Sequence, residues 1–148
     1  MPSSYASVVI DADPGDVWRC IRDFDGTPGY LDLVVSSEIA DGKRADQVGC
    51  ERVLVLSDGV VVSEVLISLD DERRELRYHL LESPFVFSNY YATMQVSPVT
   101  ASGASFVAWS SRYDCEAADA TASEEMIVGG IYAPGLARLK AMFDGRAG

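Results

Sequence analysis

Glu64 and Arg52 carry the most chemical content in this chain. Glu64 sits inside Val60-Val61-Val62-Ser63-Glu64-Val65-Leu66-Ile67-Ser68-Leu69, a run with the composition of a strand buried on both faces. A lone carboxylate there is costly unless it is paired, hydrogen-bonded or turned toward a wet cavity. Partly desolvated, it suits the work of a general base on an acidic C–H or O–H. A guanidinium beside it suits the holding of an enolate or carboxylate. Burial raises the pKa of such a carboxyl group and the neighbouring cation lowers it. Tyr90 would complete an acid–base set by donating to a ligand carbonyl. The competing readings are plain ones: an ion pair that only orders the sheet, and buried tyrosines that only find a hydrogen-bond partner.

The local pattern must bring these groups together. Ser57-Asp58-Gly59 separates Gly49 to Leu56 from the Val60 run, and a three-residue hairpin loop with glycine in the left-handed position fits it. In that register Leu56 pairs with Val60, Leu54 with Val62 and Arg52 with Glu64, which sets opposite charges across from one another. From Arg74 to Leu81 the even positions Leu76, Tyr78 and Leu80 are apolar or aromatic. Glu75, Arg77 and His79 take the odd ones. This alternation puts the even set inward. A loop centred on Glu72 pairs Leu66 with Tyr78 and Glu64 with Leu80, so Glu64 and Arg52 are carried to the inner face. The strand Asn89 to Ser97 turns Tyr90, Ala92, Met94 and Val96 inward, and Ser105 to Glu116 turns Val107, Trp109, Ser111 and Tyr113 inward.

Two helices frame these strands. After a first strand from Tyr5 to Ile10, Asp13 caps a helix that Pro14 opens, with Val17, Ile21 and Phe24 on one face. Asp25-Gly26-Thr27-Pro28-Gly29 ends it, and Tyr30 to Leu33 forms one more turn before the strand Val34 to Ile39. The closing helix spans about Thr121 to Asp144. Thr121-Ala122-Ser123-Glu124 has capping-box form, and Val128, Tyr132, Leu136, Leu139 and Phe143 trace its apolar stripe. Pro134 removes the bond to Gly130 and predicts a kink, and Gly145 is the expected stop. The order predicts an α+β fold, a curved antiparallel sheet of about seven strands with the last helix against one face.

Composition narrows the function classes. At 148 residues the chain is expected to form one domain, large enough to bury about 70% of its unfolded surface and to enclose a pocket. The net charge of −11 opposes binding to nucleic acid or anionic membranes. Cys20, Cys50 and Cys115 lack metal or redox spacing, and His79, the only histidine, has outward parity. No metal or cofactor is expected. The N-terminus has no signal-like apolar core, no segment approaches membrane-spanning length, and a reduced, cytoplasmic protein is the reading. The expected site has apolar walls with a few placed polar groups: Tyr30, Leu54, Leu66, Tyr78, Leu80, Met94, Trp109, Ser111, Tyr113, Val128 and Tyr132.

The chain resembles the START/Bet v1-like superfamily, specifically its bacterial polyketide cyclase/dehydrase branch. The resemblance runs nearly end to end through Val17-Trp18 to Phe24-Asp25-Gly26, Val48-Gly49-Cys50-Glu51-Arg52, and Asp58-Gly59 with Ser63-Glu64-Val65-Leu66. It continues through Leu76-Arg77-Tyr78, Asn89-Tyr90-Tyr91-Ala92 and Gly135-Leu136-Ala137-Arg138-Leu139-Lys140. It implies a helix-grip fold with a cavity between sheet and closing helix. It also implies two loops over the mouth, here Ser57 to Gly59 and Ser83 to Phe87, which adds Phe85 and Phe87 to the ligand-binding set. Close bacterial relatives carry a Trp-His-Pro-like segment after the first helix, whereas this chain has Tyr30-Leu31-Asp32. Relatives include cyclases, lyases, carriers and receptors, so fold does not settle function. Three functions stay open. One is a cyclase or dehydratase acting on a hydrophobic, polyketide-like molecule through Glu64, Arg52 and Tyr90. The second is a carrier or sensor with the same pocket, and the third an interaction protein. Monomer and homodimer both stay open.

Overall fold

The computed structural model describes residues 2–144. β1 (Ser3–Ile10) leads into α1 (Pro14–Arg22). Asp13 closes the start of α1 as its position predicts: its Oδ1 accepts from the Gly15 N–H at 2.8 Å, and Pro14 sits where a missing N–H costs nothing. A short 3₁₀ turn, Thr27–Gly29, follows the helix. Six strands come next: β2 (Val34–Ile39), β3 (Glu51–Leu56), β4 (Val61–Asp70), β5 (Glu75–Glu82), β6 (Phe87–Val99) and β7 (Ala104–Cys115). They form one antiparallel sheet with β1, in the order β1-β7-β6-β5-β4-β3-β2.

The β3–β4 hairpin has the expected register. Gly59 adopts φ +87°, Leu56 N–H donates to Val60 O at 2.8 Å, and Arg52 lies opposite Glu64. Leu66 and Glu64 pair with Tyr78 and Leu80, also as expected. The β4–β5 turn itself differs by one residue, since Leu69 pairs with Leu76 and Asp70 with Glu75. A bulge at Ile67 absorbs the difference.

β6 starts at Phe87 rather than Asn89, and it carries a second irregularity that matters more. Ser88 pairs with Asp114 and Tyr91 with Arg112, so Asn89 and Tyr90 together face Tyr113. Asn89 takes φ +51°, a left-handed conformation that asparagine tolerates better than most residues. The extra residue reverses the parity, so Phe87 and Tyr90 both point to the inner face.

The closing helix departs from the expected boundaries. A 3₁₀ turn, Ala117–Asp119, runs directly into α2 (Ala120–Glu124), so Thr121 lies inside the helix and caps nothing. The turn makes the capping box redundant: Asp119 N–H donates to Glu116 O at 2.9 Å and Ala120 N–H to Ala117 O. Glu125–Tyr132 is wound as a π-helix, and α3 (Ala133–Asp144) completes the element. The π winding ends where Ala133 N–H reaches back to Val128 O, one residue before Pro134, which has no N–H to offer. The expected Pro134 distortion therefore takes the form of a wider turn. Five-residue spacing from Tyr132 brings Ile127 fully inside, whereas the α-helical stripe pointed to Val128, which is only half-buried. Gly145 lies outside the described residues.

Ile127, Tyr132, Leu136, Leu139 and Phe143 of this helix join the inner-face side chains of the sheet and the apolar face of α1 in one core. Gly135 allows the approach, because a Cβ there would lie 3.1 Å from the Trp109 ring and 3.2 Å from Leu31. The result is an α+β helix grip, with a curved antiparallel sheet around the C-terminal helix.

Candidate functional site

β3 and β4 place Arg52 and Glu64 side by side on the inner face, 5% and 7% exposed. Arg52 Nε donates to Glu64 Oε1 at 2.8 Å, and Nη2 approaches the same oxygen at 2.7 Å. Nη1 donates to the Phe24 carbonyl at 3.0 Å and to Thr27 Oγ1 at 2.7 Å. The guanidinium carbon lies 3.9 Å from the Phe24 ring centroid and 4.8 Å from that of Tyr78. Arg52 thus ties the sheet to the end of α1 and the turn after it. Burial lowers the Arg52 pKa, but the Glu64 carboxylate, together with the Tyr78 and Tyr30 hydroxyls, holds the value above the ordinary one. The hydrogen bond and the shortest ion-pair contact both fall on Oε1, and no hydrogen bond to Oε2 is formed among the described residues.

Around this pair stands an aromatic wall. Trp109 Nε1 donates to the Tyr78 hydroxyl at 3.0 Å, which leaves the Tyr78 proton free to be donated onward. The hydroxyls of Tyr90 and Tyr132 bond to one another, and Tyr132 stacks on Trp109 at 4.4 Å. Phe87 packs on Tyr90 and Tyr113 at 5.5 Å each. Burial pushes the Tyr78 and Tyr90 phenols well above the usual tyrosine pKa, and it raises Tyr30 and Tyr132 as well.

A folded-state pKa above the unfolded value of about 10 means that the native protein holds these protons longer. The stability they contribute is complete below about pH 10 and is lost as the pH rises toward the folded values. The unfolding free energy is expected to fall above about pH 10 by up to ~1.4 kcal/mol per pH unit for each of these tyrosines. Phenolate absorbance followed alongside circular dichroism checks this. These phenols should ionise together with loss of structure; independent ionisation near pH 10 in the folded protein would contradict it.

A chamber of about 50 Å³ opens beside the pair. It is lined by Thr27, Leu31, Leu33, Val34, Arg52, Leu54, Leu56, Val62, Glu64, Tyr78, Leu80, Phe85, Phe87, Tyr90, Trp109 and Ile131. A water needs roughly 10–15 Å³ and a drug-sized ligand about 300–1,000 Å³. The interior is therefore mostly filled by side chains, and a polyketide-sized guest requires the walls to move.

Of the residues expected from sequence, the chamber brings together Glu64, Arg52, Tyr90, Leu54, Tyr78, Leu80, Phe85, Phe87 and Trp109. Tyr30, Leu66, Met94, Ser111, Tyr113 and Tyr132 are buried but do not border it. Tyr30 is held by its hydroxyl against Met94 Sδ at 3.9 Å, and Tyr113 by Ser4 Oγ at 2.9 Å. Val128 is turned off the inner face by the π winding and does not border the chamber either. The residues that sequence reading missed fall into two groups. Leu56 and Val62 share the parity of Leu54 and Glu64, so that signal was present. Thr27, Leu31, Leu33, Val34 and Ile131 come from the turn after α1, the start of β2 and the π segment, where no simple period applies. His79 lies outside the wall, stacked on Tyr91 at 4.2 Å with Nδ1 3.1 Å from Tyr90 O. Among the described residues no cluster of His, Cys, Asp or Glu is arranged to hold a metal ion, and no helix is long and apolar enough to cross a membrane.

The helix grip is the architecture of the START/Bet v1-like superfamily, and here it encloses a buried ion pair and a small apolar chamber. A family model described as "Polyketide cyclase / dehydrase and lipid transport" matches residues 1–144, and the chain belongs to that family. Among solved structures it is similar to the protein XoxI from Bacillus cereus: 30% identity over 97% of this chain and 96% of that one, with a TM-score of 0.86. Two remoter structures share the fold. The di-domain ARO/CYC BexL from the BE-7585A biosynthetic pathway aligns at 15% identity and TM-score 0.80, over 95% of this chain and 46% of BexL. Norcoclaurine synthase from Thalictrum flavum, in complex with dopamine and hydroxybenzaldehyde, aligns at 17% identity and TM-score 0.76, over 99% and 88%.

Proposed function

We propose that this protein takes a hydrophobic, polyketide-like molecule into the space between sheet and C-terminal helix and catalyses its cyclisation and dehydration by acid–base chemistry. The observation that carries this reading is Glu64: a carboxylate fixed through one oxygen by Arg52, on the wall of an otherwise apolar chamber that also holds Tyr78 and Tyr90. Glu64 would remove a proton from a carbon flanked by carbonyls. The resulting enolate carbon attacks a second carbonyl, a C–C bond forms, and the proton returns to the new alkoxide as a hydroxyl. Removal of a second α-proton expels that hydroxyl, which leaves with a proton as water. The balance needs no oxidant or reductant. Tyr78 acts as a neutral hydrogen-bond donor to the developing oxyanion, and Tyr90 does so when its hydroxyl accepts from Tyr132. Arg52 serves mainly to position Glu64, because three of its five N–H bonds are donated, to Glu64, the Phe24 carbonyl and Thr27 Oγ1, and Nη2 lies against the same Glu64 oxygen.

A carrier or sensor without turnover is the second reading, and the same engagement of Arg52 favours it, since little of its charge is left for a transition state. Native mass spectrometry of the protein purified from its host tests both. The expected result is a one-to-one adduct with a small apolar molecule, which incubation converts to a species lighter by one water. An adduct that is never converted selects the carrier, and the absence of any adduct counts against both.

A further inference from the structure

Among the described residues the chamber wall contains one anion, Glu64, and one cation, Arg52, and the cation is largely consumed. Its Nε and Nη2 face Glu64 Oε1, its Nη1 is bound by the Phe24 carbonyl and Thr27 Oγ1, and the rings of Phe24 and Tyr78 lie against it. Among the described residues no other lysine, arginine or histidine lines the chamber. A ligand carboxylate entering here would lose its hydration, meet the Glu64 carboxylate and find no free counter-ion, the situation in which burial of charge is most costly. A neutral ligand meets a different surface. Glu64 Oε2 can accept from an O–H or N–H, Tyr78 can donate to a carbonyl, and the remaining wall is aliphatic and aromatic.

We infer that the site selects uncharged ligands bearing a hydrogen-bond donor, a phenol, enol or amide, and rejects carboxylates of the same shape. This rests on the reading of the chamber as the ligand site and adds the charge class of what enters it. Fatty-acid anions and free polyketide acids are thereby excluded as cargo, whereas neutral phenolic or enolic molecules are admitted.

Calorimetric titration at neutral pH with 2-naphthol, 2-naphthamide and 2-naphthoate tests the inference. The amide and the carboxylate are nearly isosteric and differ in charge. The expected result is that naphthol and naphthamide bind at least about tenfold more tightly than naphthoate. Glu64→Gln should then narrow or reverse that preference, because the Arg52 charge is no longer neutralised. Naphthoate binding to the wild type as tightly as naphthamide would overturn the charge selectivity and leave the chamber reading standing. Binding of none of the three at millimolar concentration would overturn both. The wild-type comparison decides the question even if Glu64→Gln fails to fold.

Discussion

Arg52→Ala is expected to lower the unfolding free energy by about 3–5 kcal/mol, the loss typical of a buried ion pair broken on one side. Glu64 would be left as a charge in the interior without its partner. The Phe24 carbonyl and Thr27 hydroxyl would lose their donor, and the Phe24 and Tyr78 rings would lose the cation beside them. The pair itself is a different matter. Replacing both charges with apolar residues of similar volume, Arg52→Met with Glu64→Leu, should recover most of the loss, because burying two ions is nearly as costly as their attraction is favourable. Arg52→Lys should fall between, since an ammonium cannot reach Glu64, Phe24 and Thr27 with a fixed fork. Urea denaturation of the four proteins checks the series. A loss under about 1 kcal/mol for Arg52→Ala would mean that the pair behaves as a solvated surface bridge.

Glu64→Gln is expected to reduce turnover by about 10²–10⁴-fold, far more than it weakens binding of a neutral substrate through loss of the Oε2 acceptor. Glutamine keeps a carbonyl oxygen for Arg52 Nε but cannot take a proton from carbon. Glu64→Asp keeps the charge and retracts it by one methylene, so turnover should also fall, by about 10²-fold, with the pairing to Arg52 strained. Single-turnover kinetics beside equilibrium binding separates the two quantities. Equal losses in both would assign Glu64 to ligand binding alone.

The sequence is most informative where one local rule fixes geometry. The length and glycine of the Ser57-Asp58-Gly59 loop set the β3–β4 register, and that register alone put Arg52 opposite Glu64. Alternation in β5 and β7 likewise identified Tyr78 and Trp109 as inner-face residues. Rules failed where one residue is added to a period. The bulge at Asn89-Tyr90 turns Phe87 to the same face as Tyr90, and nothing in the alternation announces it. The π winding before Pro134 exchanges Val128 for Ile127, although the proline did mark the place. The chamber itself was the least legible feature. Its 50 Å³ is what remains after Leu31, Leu33, Val34 and Ile131 have packed, and such a remainder depends on side-chain fit rather than on pattern.

Trp109 and Trp18, the only two tryptophans, give a direct test of whether the chamber is where a ligand goes. Trp109 lines the chamber and donates its indole N–H to Tyr78, whereas Trp18 on α1 donates its own to Asp71 at 2.8 Å, outside the chamber wall. Two-dimensional nitrogen–proton NMR resolves the two indole signals during titration with 2-naphthol. A saturable shift of the Trp109 signal with Trp18 unmoved is the result required here. A shift of Trp18 alone, or equal shifts of both, would place the ligand elsewhere and remove the basis for chemistry at Glu64.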